Sequence, residues 1–114
     1  MLESTSSARL VLTTAASRDE AVRLGRTLVE ERLVACATLV PAAESVYRWQ
    51  GQIESSAEIL LLLKTASDRL SALEARLLEL HSYETPEFLV LEIESGSHPY
   101  LAWLHACLQG PDPG

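Results

Sequence analysis

The sequence has few basic residues and few cysteines. It contains 9 Lys and Arg against 16 Asp and Glu, which gives a formal net charge of -7 at pH 7. Because this charge repels phosphate backbones and anionic lipids, we expect neither a nucleic-acid partner nor a membrane partner. Neither Cys36 nor Cys107 belongs to a CxxC pair or a Cys/His array. This excludes a zinc site built on cysteine and favours a reducing cytoplasm.

Long apolar runs and common catalytic motifs are also missing. The apolar run at residues 59–63 is far shorter than the roughly 20 residues that a membrane-spanning helix needs. Residues 1–8 have no cationic region followed by an apolar stretch, so we expect no signal peptide. No P-loop, dinucleotide fingerprint, HExxH motif or GxSxG motif occurs. We therefore do not expect an enzyme.

The pattern of apolar residues predicts one domain over residues 9–109, with flexible tails at residues 1–8 and 110–114. Residues 9–14 read as a central strand. Ser17 and Glu20 fit a capping box, in which a hydroxyl and a carboxylate bind early helix amides. The apolar positions that follow have helical spacing, so a helix is expected to pack one face on a sheet.

Two long β-type runs, residues 34–47 and 52–65, flank Gly51 and predict a hairpin of overlong strands. Pro41 has no amide hydrogen for the ladder, so a bulge or bend is expected next to it. Ser67 is expected to cap a second helix that ends near His81. Residues 88–93 read as a final central strand, and Pro99 opens a short C-terminal helix.

This order of elements predicts an α+β fold of the ferredoxin-like type. Its βαββαβ antiparallel sheet carries helices on one face, with the extra helix at the C-terminus. The long hairpin between the second and third strands projects beyond the sheet, and the second sheet face has no helical cover. Apolar surface of this extent favours burial against further copies of the chain, so we expect a homo-oligomer.

Four spaced segments resemble the CutA family. They are residues 30–41 (EERLVACATLVP), 45–53 (SVYRWQGQI), 63–65 (LKT) and 81–87 (HSYETPE). The likeness runs over about residues 10–108. It implies a ferredoxin-like subunit in a homotrimer, a role in divalent-cation tolerance and the response to metal ions, and no agreed enzymatic reaction. The trimer is similar in architecture to the PII proteins, which bind nucleotides between subunits.

The resemblance also implies weak binding of copper or another divalent cation. Family members with a described copper site have a cysteine at the end of the first strand and two adjacent histidines after the second helix. Here those positions hold Thr13, Leu80 and His81. His81 is thus the expected metal ligand, and a hydroxyl suits a soft cuprous ion poorly. Alternatively, His81 caps the second helix or lies at a subunit contact, and His98 or His105 offers another metal position.

Other residues have both a structural and a functional interpretation. Cys36 lies in an apolar strand and reads as a small buried residue or as a metal or redox site. Lys64 and Glu87 lie at strand ends that a ferredoxin-like sheet brings together, where they would neutralise each other or orient a small anion. Tyr83 would donate to the cluster around His81. Tyr100 and Trp103 read as core.

The hairpin tip carries Tyr47, Arg48 and Trp49, which are typical interface anchors. A stacking platform for a nucleobase is the alternative interpretation. Two functions follow. The first is a metal-responsive homotrimer that binds copper or other divalent cations through His81 near Cys36. The second is a PII-like trimer that binds a small anion or nucleotide between subunits through Lys64, Arg48 and the tip.

Overall fold

A four-stranded antiparallel sheet with helices organises the chain. The computed structural model describes residues 1–4 and 7–110. Its elements are β1 (Leu2–Ser4), β2 (Ala8–Ala15), α1 (Arg18–Glu30), β3 (Cys36–Trp49), β4 (Gln52–Ala66), a 3-10 turn (Ser67–Arg69), α2 (Leu70–Leu80), β5 (Leu89–Glu92), β6 (Ser95–Ser97) and α3 (His98–Cys107).

The strand order in the main sheet is β3-β4-β2-β5, and every neighbouring pair is antiparallel. This order confirms the predicted ferredoxin-like α+β fold, with β2 inside the sheet. The prediction that the last strand is central is wrong, because β5 forms an edge. Leu89 and Leu91 of β5 are 54% and 43% exposed. An unbroken apolar run indicates that both faces of a strand need apolar contacts, but it does not say where in the sheet the strand lies.

The two longer helices cover one face of the sheet. Ala21, Leu24 and Leu28 of α1 and Leu73 and Leu77 of α2 form the core with Val11, Leu61 and Leu63 of the strands. Successive side chains of a strand point to opposite faces, so the residues next to these core positions point away from α1 and α2. This second face, called the open face below, carries half-buried Leu10, Leu12, Leu60 and Leu62 and exposed Leu89 and Leu91.

The hairpin of β3 and β4 has the predicted length, with strands of 14 and 15 residues. Its register shifts between Val40 and Ala43, where Ala42 has φ 62°. This confirms the predicted bulge beside Pro41. At the tip, Gln50 and Gly51 both have positive φ, as a two-residue hairpin turn requires.

The N-terminal segment corrects the predicted tail at residues 1–8. Leu2–Ser4 pairs with Ser95–Ser97 in a second, two-stranded sheet, and β2 already begins at Ala8. The prediction missed this because three-residue strands are too short to show periodicity. At the other end, Leu104 of α3 and the following Leu108 pack against Ala35 and Ala66. Residues 111–114 of the second predicted tail lie outside the described residues.

The helix starts were predicted with mixed success. Ser17 caps α1 by accepting a hydrogen bond from the backbone N–H of Glu20 at 3.2 Å. Ser67 does not cap α2. It instead begins a 3-10 turn without a side-chain cap, and α2 follows from Leu70.

Candidate functional site

His81, at the C-terminal end of α2, is fully engaged inside the protein. Its Nδ1 accepts a hydrogen bond from the backbone N–H of Tyr83 at 3.0 Å, so its Nε2 carries the proton and donates to the carbonyl of Thr14 at 2.6 Å. The imidazole is buried, with a side-chain exposure of 0%. Within one chain, His81 could coordinate a metal only by losing one of these hydrogen bonds.

The copper ligand set implied by the resemblance does not fit the rest of this arrangement. Thr13 lies opposite Leu61 in the apolar interior, and its buried Oγ1 has no hydrogen-bond partner within the part of the chain that the structure describes. Leu80 packs against the same core. Among residues 1–4 and 7–110, no group of three or more His, Cys, Asp or Glu side chains is already placed to hold a metal ion. In this fold Thr13 and Leu80 are packing residues, and His81 ends α2.

Glu20 has a role that the sequence analysis recognised only in part. Its carboxylate accepts from the backbone N–H of Ser82 at 2.8 Å and from the hydroxyl of Ser82 at 2.9 Å. Burial raises the pKa of Glu20, but the hydrogen bonds from Ser82, the nearby His81 and the amide of Ala16 more than offset this and lower it. Glu20 therefore connects the start of α1 to the loop after α2.

That loop forms one wall of a cleft of about 870 Å³, and the distal hairpin forms another. By strand alternation, Thr14 and Glu58 of the cleft lie on the open face of the sheet. Among the described residues, the lining contains three carboxylates and no Lys, Arg or His. It consists of Thr14, Ser45, Val46, Tyr47, Trp49, Ser56, Glu58, Tyr83, Glu84, Thr85 and Glu87. The cleft is therefore acidic and partly aromatic.

Glu58 is the buried carboxylate of this cleft, with a residue exposure of 8%. The phenol of Tyr83 donates to its Oε2 at 2.7 Å. Burial raises the pKa of Glu58, while hydrogen bonds from Ser45, Tyr83 and Thr14 lower it further than burial raises it. Burial and the hydrogen bond to Glu58 raise the pKa of Tyr83 well above its usual value. At neutral pH the cleft therefore holds a carboxylate that accepts from a neutral phenol.

Two large aromatic side chains of the hairpin remain open to this cleft. Trp49 is 60% exposed and Tyr47 is 43% exposed, with its hydroxyl 3.5 Å from Ser56 Oγ. Arg48 alternates to the other face of the strand and does not line the cleft. Of the residues predicted from the sequence, the structure thus brings together Tyr47, Trp49, Tyr83 and Glu87.

Lys64 and Cys36 lie elsewhere, at the proximal end of the hairpin. Lys64 Nζ donates to Thr38 Oγ1 at 2.8 Å and lies 3.8 Å from Cys36 Sγ. Burial and the neighbouring Cys36 raise the pKa of Tyr100. The predicted approach of Lys64 to Glu87 does not occur within the chain, because Lys64 pairs in register with Leu10 and Cys36, far from the Thr14 end of β2.

The remaining predicted residues are at the surface. Tyr100 and Trp103 were predicted as core, but they are 44% and 42% exposed and contact each other with ring centroids 5.4 Å apart. The helical spacing of Tyr100 and Trp103 shows that they lie on the same side of α3, but it does not show whether that side is buried or exposed. His98 lies 2.9 Å from Glu3, where it ties α3 to β1, and His105 is half-buried near the end of α3.

Glu58 was missed, although its position gave a usable signal. It directly precedes the apolar run at residues 59–63, and a carboxylate next to buried strand positions needs hydrogen-bond donors nearby. The donors come from residues far away in sequence, which is why the spacing alone did not reveal them.

Comparison with known proteins agrees with this fold and with the motifs. Residues 9–107 match the CutA1 divalent ion tolerance protein family. The chain belongs to this family. A divalent-cation tolerance protein CutA of Pectobacterium atrosepticum is 42% identical over 100 residues, which cover 88% of this chain and 91% of that protein. The resemblance noted from the four segments is therefore confirmed, and with it the family's role in divalent-cation tolerance.

Solved CutA structures have the same fold. CutA from Synechococcus elongatus superimposes with a TM-score of 0.92 at 38% identity, covering 96% of each chain. CutA from Xylella fastidiosa gives a TM-score of 0.89 at 39% identity and covers 91% of this chain and 100% of its own. None of the helices in the described ranges is long and apolar enough to cross a membrane.

Proposed function

We propose that this CutA1 family member acts in divalent-cation tolerance as a homotrimer that binds divalent cations weakly in the acidic cleft. The observation that carries this proposal is the lining of the cleft, in which, over residues 1–4 and 7–110, Glu58, Glu84 and Glu87 occur without any basic side chain. Carboxylate oxygens suit hard and borderline divalent ions, and Glu58 is held in its ionised form.

We place the cation at the cleft rather than at His81. Both ring nitrogens of His81 are used in hydrogen bonds, and Thr13 and Leu80 supply no suitable donor. In the described conformation of the single chain, Glu58, Glu84 and Glu87 do not form a preassembled site. Glu84 and Glu87 are exposed, and cation binding requires their side chains to move toward the ion. Few fixed ligands and several mobile ones give low affinity, which agrees with weak binding of copper or another divalent cation.

The open face supports the trimer. Leu89 and Leu91 are exposed there, beside the four half-buried leucines Leu10, Leu12, Leu60 and Leu62. A contiguous apolar surface of this kind is typical of a subunit contact. The contact at Tyr47, Arg48 and Trp49 stays a prediction.

Calorimetric titration with Cu(II) and Zn(II) tests the cation site. Glu84→Gln/Glu87→Gln should weaken binding roughly tenfold or more, because two carboxylate ligands are lost. Glu74→Gln/Glu79→Gln removes the same charge from the exposed face of α2 and should leave binding unchanged, as should His81→Ala if the variant folds. Binding that is lost only in His81→Ala would overturn the placement.

A PII-like sensor of a small anion or nucleotide is the second candidate, and one observation favours it. Lys64 is half-buried and, within the described part of the chain, forms no ion pair with a carboxylate. An anion bound between subunits would supply the missing charge. Calorimetric titration with an adenine nucleotide, repeated on Lys64→Met, tests this candidate. If the protein binds the nucleotide and no metal ion, ligand sensing is the better account of its function.

We also propose that the protein is cytoplasmic and not an enzyme. No disulfide involves Cys36 or Cys107 in the described part of the chain, which suits a reducing compartment. The cleft pairs a carboxylate with a phenol and presents hydroxyls beside them, but in the described residues its lining contains no histidine, cysteine or lysine to act as base or nucleophile.

A further inference from the structure

Lys64 is the only lysine of the sequence, and it lies on the open face of the sheet. Its side chain points away from α1 and α2, because its neighbours Leu63 and Thr65 are fully buried on the helix side. Lys64 is half-buried, its Nζ donates to Thr38 Oγ1 at 2.8 Å, and within residues 1–4 and 7–110 it forms no ion pair. A subunit that covers the open face buries this ammonium further, which is strongly unfavourable without a carboxylate beside it.

The carboxylates of the open face lie at its opposite end. Glu58 is on the same face of β4 as Lys64 but six residues away, so the two positions are roughly 20 Å apart. Glu87 also points to the open face, because Phe88 packs against the core on the helix side and Leu89 returns to the open face. Within one chain, Lys64 is therefore separated from the acidic cleft.

The open face thus has a cation at one end, its leucines in the middle and carboxylates at the other end. In a ring of three subunits the contacts are heterologous, which means that one part of a surface meets a different part of the next copy. Opposite charges at the two ends of one face match each other in such a contact, whereas like charges repel. The surface that complements the acidic end is the lysine end of a second copy.

We propose that Lys64 of each subunit reaches the acidic cleft of the next subunit and forms an ion pair there with Glu87. The leucines of the open face supply the apolar part of the same contact. Glu87 is the partner because it is exposed and accepts no hydrogen bond in the described part of the chain, whereas Glu58 already accepts from the phenol of Tyr83.

The proposal rests on the proposed homotrimer and adds a regulation of the proposed cation site. A divalent ion that binds Glu87 has to displace the ammonium of the neighbouring Lys64. Metal binding and the subunit contact therefore oppose each other, which agrees with weak metal binding in the assembled protein.

Zero-length cross-linking of the full chain tests the pair directly, because Lys64 is the only lysine. A water-soluble carbodiimide couples an amine to a carboxylate as an amide, without a spacer, when the two groups are in contact. We expect a denaturing gel to show species of two and three chain masses. Mass spectrometry of the two-chain species should find an amide between Lys64 and Glu87.

Two matched variants control this experiment. Glu87→Gln should lose the link, and Glu74→Gln, on the exposed side of α2, should keep it. A Lys64 link found only within single chains overturns the proposal. So does the absence of a link between Lys64 and Glu87 in a protein that light scattering shows to be trimeric.

Charge reversal gives an independent readout. Lys64→Glu should lower the light-scattering mass at micromolar concentration, because two carboxylates then face each other across the contact. Lys64→Glu/Glu87→Lys should regain the trimer, whereas the control Lys64→Glu/Glu74→Lys should not. Circular dichroism checks that each variant folds, and if Lys64→Glu does not fold, the cross-link in the parent chain decides. A folded Lys64→Glu that assembles as the parent does overturns the proposal.

Lys64→Met separates this proposal from the proposed cation site. Once the competing ammonium is removed, calorimetry on the trimer should show Mn(II) binding roughly tenfold more tightly. Unchanged affinity means that Lys64 does not occupy the cleft, which overturns the proposal and leaves the cation site intact. A link between Lys64 and Glu87 without any metal binding supports the proposal and overturns the metal function. Adenine-nucleotide binding that is lost in Lys64→Met, without that link in the parent, assigns Lys64 to an anion and overturns the proposal.

Discussion

Ser82 donates both its backbone N–H and its hydroxyl to the carboxylate of Glu20, at 2.8 and 2.9 Å. The two residues are 62 positions apart, and Glu20 is 95% buried with an exposure of 5%. This contact fixes the loop that starts at His81 and continues through Tyr83, whose phenol binds Glu58 in the cleft. The start of α1 and the wall of the cleft are thus one connected hydrogen-bond network.

Breaking this contact should lower stability. We expect Ser82→Ala to reduce the free energy of unfolding by about 1–3 kcal/mol, because a hydrogen bond to a buried charged group is lost. Urea denaturation measures the effect. Ser71→Ala, on the exposed side of α2, removes the same hydroxyl without this partner and should change stability far less. Equal effects of the two substitutions would contradict the role given to Ser82.

Stability should also fall in acid for the same reason. The pKa values of Glu20 and Glu58 are lowered in the folded protein from the ordinary value of 4.5. Their contribution is therefore fully present above pH 4.5 and is lost as the pH falls through the lower folded values. We expect the free energy of unfolding, measured from pH 7 to pH 3, to fall below about pH 4.5. This fall should be smaller in Glu20→Gln, and an equally steep fall there would contradict the assignment.

Two arginines hold the C-terminal end of α3. Arg32 Nη1 donates to the carbonyl of Cys107 at 2.8 Å, and Arg69 donates to the carbonyls of Leu108 and Arg32. The bonds to Cys107 and Leu108 satisfy carbonyls that the end of α3 leaves without partners inside the helix. We expect Arg69→Met to lower the thermal midpoint, at a cost of about 1–3 kcal/mol. Arg23→Met, on the exposed face of α1, is the matched control. An equal loss of stability in this variant would contradict the role given to Arg69 at the end of α3.

The open face should govern assembly. Leu89→Ser/Leu91→Ser changes two side chains that are already exposed in the single chain, so the fold of the subunit should tolerate it. We expect light scattering to give three times the chain mass for the parent and a smaller mass, at micromolar concentration, for this variant. Leu78→Ser, equally exposed at 50% on α2, should remain trimeric. A parent protein that is monomeric would refute the trimer altogether.

The fold was largely readable from the sequence, because its signals are local. Ser17 before the helical pattern of α1, Pro41 before the bulge and Gly51 at the hairpin turn each act within a few residues. The wrong predictions concern position in the whole fold. The apolar run of β5 indicated contacts on both faces but not an edge position, and Leu2–Ser4 found its partner strand more than 90 residues away.

The site was less readable, because it depends on pairs that are distant in sequence. The imidazole of His81 suggested a metal ligand. Its two nitrogens form hydrogen bonds with the backbone of Thr14 and Tyr83, and only the fold shows these contacts. The predicted pairing of Lys64 with Glu87 assumed that the two strand ends meet, whereas the antiparallel register separates them. Tyr47, Trp49 and Tyr83 were recognised as candidates, but the carboxylate that joins them, Glu58, was not.

Anomalous diffraction from crystals grown with Mn(II) tests the placement of the cation most directly. We predict an anomalous peak in the cleft, at about 2–2.5 Å from carboxylate oxygens of the Glu58, Glu84 and Glu87 group. The peak should disappear in crystals of Glu84→Gln/Glu87→Gln. A peak at His81, or no peak in the cleft while the ion binds elsewhere on the chain, would contradict the account.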